Sequence, residues 1–237
     1  MPLLSRRAVA AASALALAVG LAGCATASGP GSAPASPSDD PTATTQLHAA
    51  WLDDGRAVGI VTQGSSTCVP MADEPMYADG VVTVELTDPE GQACTKDLVP
   101  RASVVTLPAG VDPADGLSIV VTGTYAGEAD LQGDSALTGV PGDPTEYLPS
   151  AGWFDTGAFL ILTWGSSTCL PVAESVTATG PSDVTAVFAT PPADQVCTAD
   201  IAPRVLVTAV DGLDEQSGAH LTMKGDKFDG VRIPIAG

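Results

Sequence analysis

Positive charge is scarce in this chain: nine Lys plus Arg stand against 28 Asp plus Glu in 237 residues, a formal net charge of −19. Phosphate backbones are held by clustered Lys and Arg, so this balance speaks against a nucleic-acid partner. It equally disfavours electrostatic docking on anionic lipid. Histidine is rarer still, with only His48 and His220. Cysteine is limited to five residues and no Cys-x-x-Cys pair occurs, which removes the usual spacing of a zinc site. No metal and no cofactor are expected. Past the first two dozen residues no apolar run approaches the ~18 residues that a membrane helix needs, so no second membrane segment is expected. No helical period of useful length is found there either.

What the chain does have is turn and core material. It carries 25 Gly, 20 Pro and 45% hydrophobic residues, with a mean hydropathy of +0.25. That mixture suits short strands joined by turns around a packed core.

The amino terminus reads as an address. Arg6 and Arg7 precede the apolar stretch Ala8 to Val19, followed by Leu21-Ala22-Gly23-Cys24. Charge, short apolar run and small residues, in that order, define a secretory signal peptide over residues 1–23. Its end resembles the bacterial lipobox, in which the Cys becomes lipidated and is the first mature residue. The resemblance makes Cys24 the lipid anchor. Ser5-Arg6-Arg7 also has a weak likeness to a twin-arginine signal, with Val9 where Phe is usual, so the export route stays open. Residues 24–48 follow as the lipidated Cys and a Gly-, Pro- and Ser-rich tether with little to bury.

An internal repeat organises the rest. Trp51-Leu52-Asp53-Asp54-Gly55 returns as Trp153-Phe154-Asp155-Thr156-Gly157, and Gly64-Ser65-Ser66-Thr67-Cys68-Val69-Pro70 as Gly165-Ser166-Ser167-Thr168-Cys169-Leu170-Pro171. Cys94-Thr95-Lys96-Asp97-Leu98-Val99-Pro100-Arg101 returns as Cys197-Thr198-Ala199-Asp200-Ile201-Ala202-Pro203-Arg204. The series keeps its order throughout, which marks a duplication. It divides the chain into a first β module at 49–132, a linker at 133–150 and a second β module at 151–237. Val82, Val84 and Leu86 alternate with Thr83, Glu85 and Thr87, as in a half-buried strand. Leu221 and Met223 are expected to face inward, with His220, Thr222 and Lys224 outward. The fold class is therefore all-β: two tandem homologous antiparallel modules, sandwich or barrel-like, of four to six strands each. Whether they are separate beads or one body stays open at this level.

Once Cys24 is set aside, four Cys remain, and the repeat selects one pairing of them. Cys68 joins Cys94 and Cys169 joins Cys197, each inside its own module.

Chemistry is less legible. Gly-Ser-Ser-Thr-Cys is not a nucleophile elbow, and Gly133-Asp134-Ser135 lies in the linker with no His assigned to it. Acidic turns such as Asp112 to Gly116 lack regular calcium-loop spacing. Asp97 with Arg101, and Asp200 with Arg204, form the repeated charged pair. They read either as a duplicated surface site or as an ion pair pinning the disulfide loop. Trp51 and Trp153 occupy matched positions and read as core, whereas Trp164 replaces Gln63 and is the candidate for stacking on a ligand.

The paired Gly-Ser-Ser-Thr-Cys-x-Pro and Cys-Thr-x-Asp-x-x-Pro-Arg strings resemble those of uncharacterised envelope lipoproteins of high-GC Gram-positive bacteria. That resemblance implies an exported β module and carries over no activity. The expectation is a lipid-anchored, extracytoplasmic protein on the outer face of the cytoplasmic membrane. It would be non-enzymatic, with a binding or envelope-structural role toward an unknown envelope protein or glycan. The alternative is an exported hydrolase with an unrecognised site.

Overall fold

The computed structural model describes residues 45–213 and 216–237. The signal peptide, Cys24 and the tether up to residue 44 lie outside the described residues. Within them the first module supplies β1 (His48–Leu52), β2 (Ala57–Gly64), β3 (Met71–Ala72), β4 (Met76–Ala78), β5 (Val81–Thr87), β6 (Val99–Thr106), β7 (Leu117–Gly123) and β8 (Gly127–Leu131). The second supplies β9 (Ser150–Asp155), β10 (Ala158–Gly165), β11 (Ala173–Gly180), β12 (Asp183–Phe188), β13 (Ala202–Ala209), β14 (His220–Gly225) and β15 (Phe228–Ala236). The fold is all-β. Each module holds more strands than its sequence pattern suggests, because β3, β4 and β11 are half-exposed edge strands without clean apolar alternation.

The two modules share one plan. A hairpin of β1 and β2 is extended by antiparallel β6, and in the second copy β9, β10 and β13 repeat it. A second layer pairs β5 parallel with β7 and β7 antiparallel with β8, repeated by β12, β14 and β15. In the second module β15 also pairs with β9, so a single seven-stranded sheet rolls over onto itself in the order β11-β12-β14-β15-β9-β10-β13. In the first module the corresponding join is only a bridge between Gln46 and Glu128.

Alternation fills the space between the layers. Val82, Val84 and Leu86 of β5 are buried against Trp51, Val58 and Ile60, while Glu85 is exposed. Leu221 and Met223 are buried, and His220 and Thr222 lie half-exposed on the other face. Because β2 is buried on both faces, its apolar run is continuous from Ala57 to Val61 rather than alternating.

The second face of β2 explains how the modules meet. Ala50, Leu52, Ala57, Val61 and Ala102 of the first module share a core cluster with Leu160 and Leu162 of the second. The modules are thus not beads; the described residues from 45 onward belong to one compact unit. Across this interface β1 and β9 run in opposite directions. His48 Nδ1 contacts the Phe154 carbonyl at 3.1 Å, and the Asp53 N–H donates to Ser150 Oγ at 2.7 Å. Gly152 lies against Ala50, its own repeat counterpart, where an added Cβ would come within 3.2 Å of the Ala50 Cβ. A position touching its own counterpart marks a local two-fold axis, as at an isologous dimer interface.

Candidate functional site

The repeated strings converge on one corner in each module. Cys68 and Cys94 are bonded, as are Cys169 and Cys197, closing separations of 26 and 28 residues. Beside each bond lies a hydroxyl cluster. Ser65 Oγ and Thr95 Oγ1 are 2.8 Å apart, and the Thr95 N–H donates to Thr67 Oγ1 at 3.1 Å. Ser166, Thr198 and Thr168 repeat this at 2.7 and 3.1 Å. Asp97 accepts from the Thr95 hydroxyl and from the Ser66 N–H, and Asp200 accepts from Thr198 and Ser167. These donors hold both carboxylates well below the usual range, at about 2, with the threonine hydroxyl as the largest cause.

The charged pair read from the sequence does not form. Asp97 stays on the exposed outer side of the loop, while Arg101 is buried and donates to the Cys68 and Ser65 carbonyls and to the Tyr125 hydroxyl. The carboxylate nearest Arg101 is that of Asp88, at 3.5 Å. Arg204 likewise donates to the Cys169 and Trp164 carbonyls at 2.7 and 3.0 Å, while Asp200 stays on its own loop. Register accounts for the separation: Arg101 sits opposite Thr62 inside β6, and Asp97 precedes the strand. The guanidinium also packs on Gly64, as Arg204 does on Gly165, so a Cβ there would collide with it. That contact explains why the first Gly and the last Arg of the two strings recur together.

Trp164 is half-buried rather than free. Its Nε1 donates to the Leu148 carbonyl at 3.1 Å, and the Tyr147 ring meets it edge-on at 5.2 Å. Trp51 and Trp153 are core residues. Asp134 caps its own turn by accepting the Ala136 N–H at 2.9 Å, so Gly133-Asp134-Ser135 is a turn.

A second cluster was not legible as a site. Between Gly55 and Ala57 the first module carries Arg56, which has no counterpart before Ala158. The one signal for it is the step in repeat offset from 102 to 101 across this turn. Here Asp53 and Asp54 both adopt left-handed backbone, with φ of 50° and 55°, a conformation costing roughly 1 kcal/mol or more per non-glycine residue. The linker holds them there. Thr145 donates to Asp53 Oδ1 at 3.0 Å, and Thr138 donates to Asp54 through its N–H at 3.0 Å and its hydroxyl at 2.9 Å. Arg56 pairs with Glu146 at 3.3 Å. Burial pushes the Asp53 carboxyl above its usual range, against the opposing pull of Thr145 and Arg56.

Asp53, Asp54, Arg56 and Glu146 rim a cavity of about 210 Å³ between the modules, walled by Trp51, Leu137, Leu148, Ile233 and Pro234. A mixed apolar wall with a few convergent polar groups is the make-up of a small-ligand cleft. Ser150 also lines it, but its Oγ is occupied by the Asp53 N–H, and neither His48 nor His220 reaches the cavity. No family model, curated protein or solved structure matches this chain.

Proposed function

We propose that this is a lipid-anchored binding protein of the bacterial cell envelope, held at Cys24 on the outer face of the cytoplasmic membrane. Residues 25–44 then serve as spacer, and the two-module body engages an envelope protein or glycan without chemical turnover. The lipobox order and the oxidising compartment that two disulfides require support the location. The observation that carries the binding role is the inter-module cleft. The modules agree at their disulfide corners, which serve the scaffold, and differ at the turn where strained acids and Arg56 rim the cavity. Strain of that kind concentrates at functional positions.

Two experiments test this. Radiolabelled fatty acid is expected to enter the wild-type protein and not Cys24→Ala; equal labelling of both removes the anchor. Pull-down of envelope proteins and glycans with the fragment from Thr42 onward is expected to yield a ligand lost on Arg56→Ala. Turnover of a glycan or peptide substrate by the same fragment would replace the binding role with a hydrolase.

A further inference from the structure

The two modules differ at one more place, the seam where each rolled sheet closes. In the first module the short β3 lies against β6, and the buried Ser103 donates to the Pro70 carbonyl at 2.6 Å. The second module has Leu206 at the Ser103 position, so the equivalent bond to the Pro171 carbonyl is unavailable. There, β11 and β13 are the two free ends of the seven-stranded order, and among the described residues no hydrogen bond joins them. Between them runs a groove of about 610 Å³ lined by Leu170, Val172, Val176, Leu206 and Thr208. Leu170 and Val172 are 63% and 61% exposed, and Leu206 is only half-buried where the first module buries Ser103.

The edges differ as well. In the first module the outer strand is broken into two short pieces by Asp73, Glu74 and Pro75, which blunts it against pairing. In the second, β11 spans eight residues with no proline and one charge, Glu174, and its pairing with β12 is regular over 175–178, between two register shifts. The regular stretch 175–178 of that edge presents unpaired N–H and C=O groups, and β13 lines the groove across from it with residues 206–209, past Pro203.

We propose that this groove takes an extended segment of a partner protein, which adds to β11 as a further strand and places alternate apolar side chains on Leu206, Val172 and Val176. The segment is neutral or basic, since Glu174 and the net charge of −19 repel an acidic one. The chain's own tether is a poor occupant: Pro30, Pro34, Pro37 and Pro41 interrupt any ladder and Asp39-Asp40 adds negative charge. Main-chain pairing provides affinity in this mode and side-chain pockets provide selectivity. The proposal rests on the reading of the protein as a binding protein and names one partner chemistry for it.

The test uses the chain from Ala25 to Gly237 and a fluorescent octapeptide of alternating Val and Thr with Lys at both ends. Saturable binding below about 1 mM is expected, with slowed amide exchange confined to β11 and β13. N-methylation of alternate peptide amides weakens it about tenfold or more, because the ladder bonds are lost. Leu206→Ser, which installs the first module's own residue, and Val172→Glu at an exposed position each weaken it to a similar extent, with folding checked by circular dichroism. Absence of β11 protection at that concentration overturns the proposal, as does equal binding of the N-methylated peptide. So does occupation by palmitate in place of peptide, β11 protection through self-association of this chain, or much tighter binding once residues 25–41 are removed. A partner held at the Arg56 cleft while β11 and β13 keep exchanging freely would remove the groove and leave the binding role standing.

Discussion

Asp53 and Asp97 are both turn acids, yet their surroundings move them in opposite directions. Burial raises Asp53, whereas the Thr95 hydroxyl and the Ser66 N–H lower Asp97, and Asp200 follows Asp97. The signs for stability follow. A lowered folded value contributes stability that is present above the ordinary 3.8 and is lost as pH falls toward about 2. A raised one contributes stability that is present below 3.8 and is lost as pH rises through the folded value. Denaturant titrations across pH are therefore expected to show Asp53→Asn more stable than wild type at pH 7 and equal to it in acid. A less stable Asp53→Asn at pH 7 would mean that the carboxylate is ionised and held by Arg56. Thr95→Val with Thr198→Val should flatten the acid limb instead. Gly64 gives a second test at this scale, because its missing side chain is the space that the Arg101 guanidinium fills. Gly64→Ala is expected to cost about 1–3 kcal/mol by overpacking. The cost should shrink when combined with Arg101→Lys, since neighbours sharing one space are not additive.

At the scale of elements, the disulfide loops and the linker do different work. Each disulfide ties the loop that precedes β6 or β13 to the turn that follows β2 or β10. Chain entropy assigns about 3.5 kcal/mol to closing loops of that length. Cys169→Ser with Cys197→Ser is expected to lose roughly that amount in urea unfolding; a loss under about 1 kcal/mol would mean that the loop stays ordered without the bond. The sequence marks 133–150 only as a connection between the modules, but Thr138, Thr145 and Glu146 bind it to the strained turn. Removing those hydroxyls with Thr138→Val and Thr145→Val should release it. The expected readout is faster proteolysis within 133–150 and a loss of about 3 kcal/mol, near 1 for each of the three hydrogen bonds these hydroxyls make, to Asp54, to Asp53 and from the Tyr147 N–H. Unchanged cleavage would mean that Leu137 and Leu148 hold the linker by packing alone.

For the whole molecule, the shared cluster of Ala50, Leu52, Leu160 and Leu162 makes the duplication one folding unit. Calorimetry is expected to give a single transition, and Leu160→Ala to lower stability by about 2–5 kcal/mol while Trp51 and Trp153 signals still melt together. Two separate transitions would show that the modules fold independently. The sequence by itself determined the duplication, the all-β class and both disulfide pairs, because these depend on local alternation and on strings that occur twice. Alternation also placed Leu221 and Met223 inside, since a strand's period of two assigns its faces without reference to distant residues. Tertiary structure alone decided that Arg101 reaches the Cys68 carbonyl and not Asp97, and that β1 crosses β9 about a local two-fold. It also decided that the linker holds Asp53 and Asp54 in a left-handed turn, and that the second module's seam stands open where the first is closed. Each of these depends on partners tens to about a hundred residues away, and on differences as small as Ser103 against Leu206. Periodicity and repetition report what neighbours in the chain have in common; they carry no information about which distant surfaces the folded sheets bring into contact.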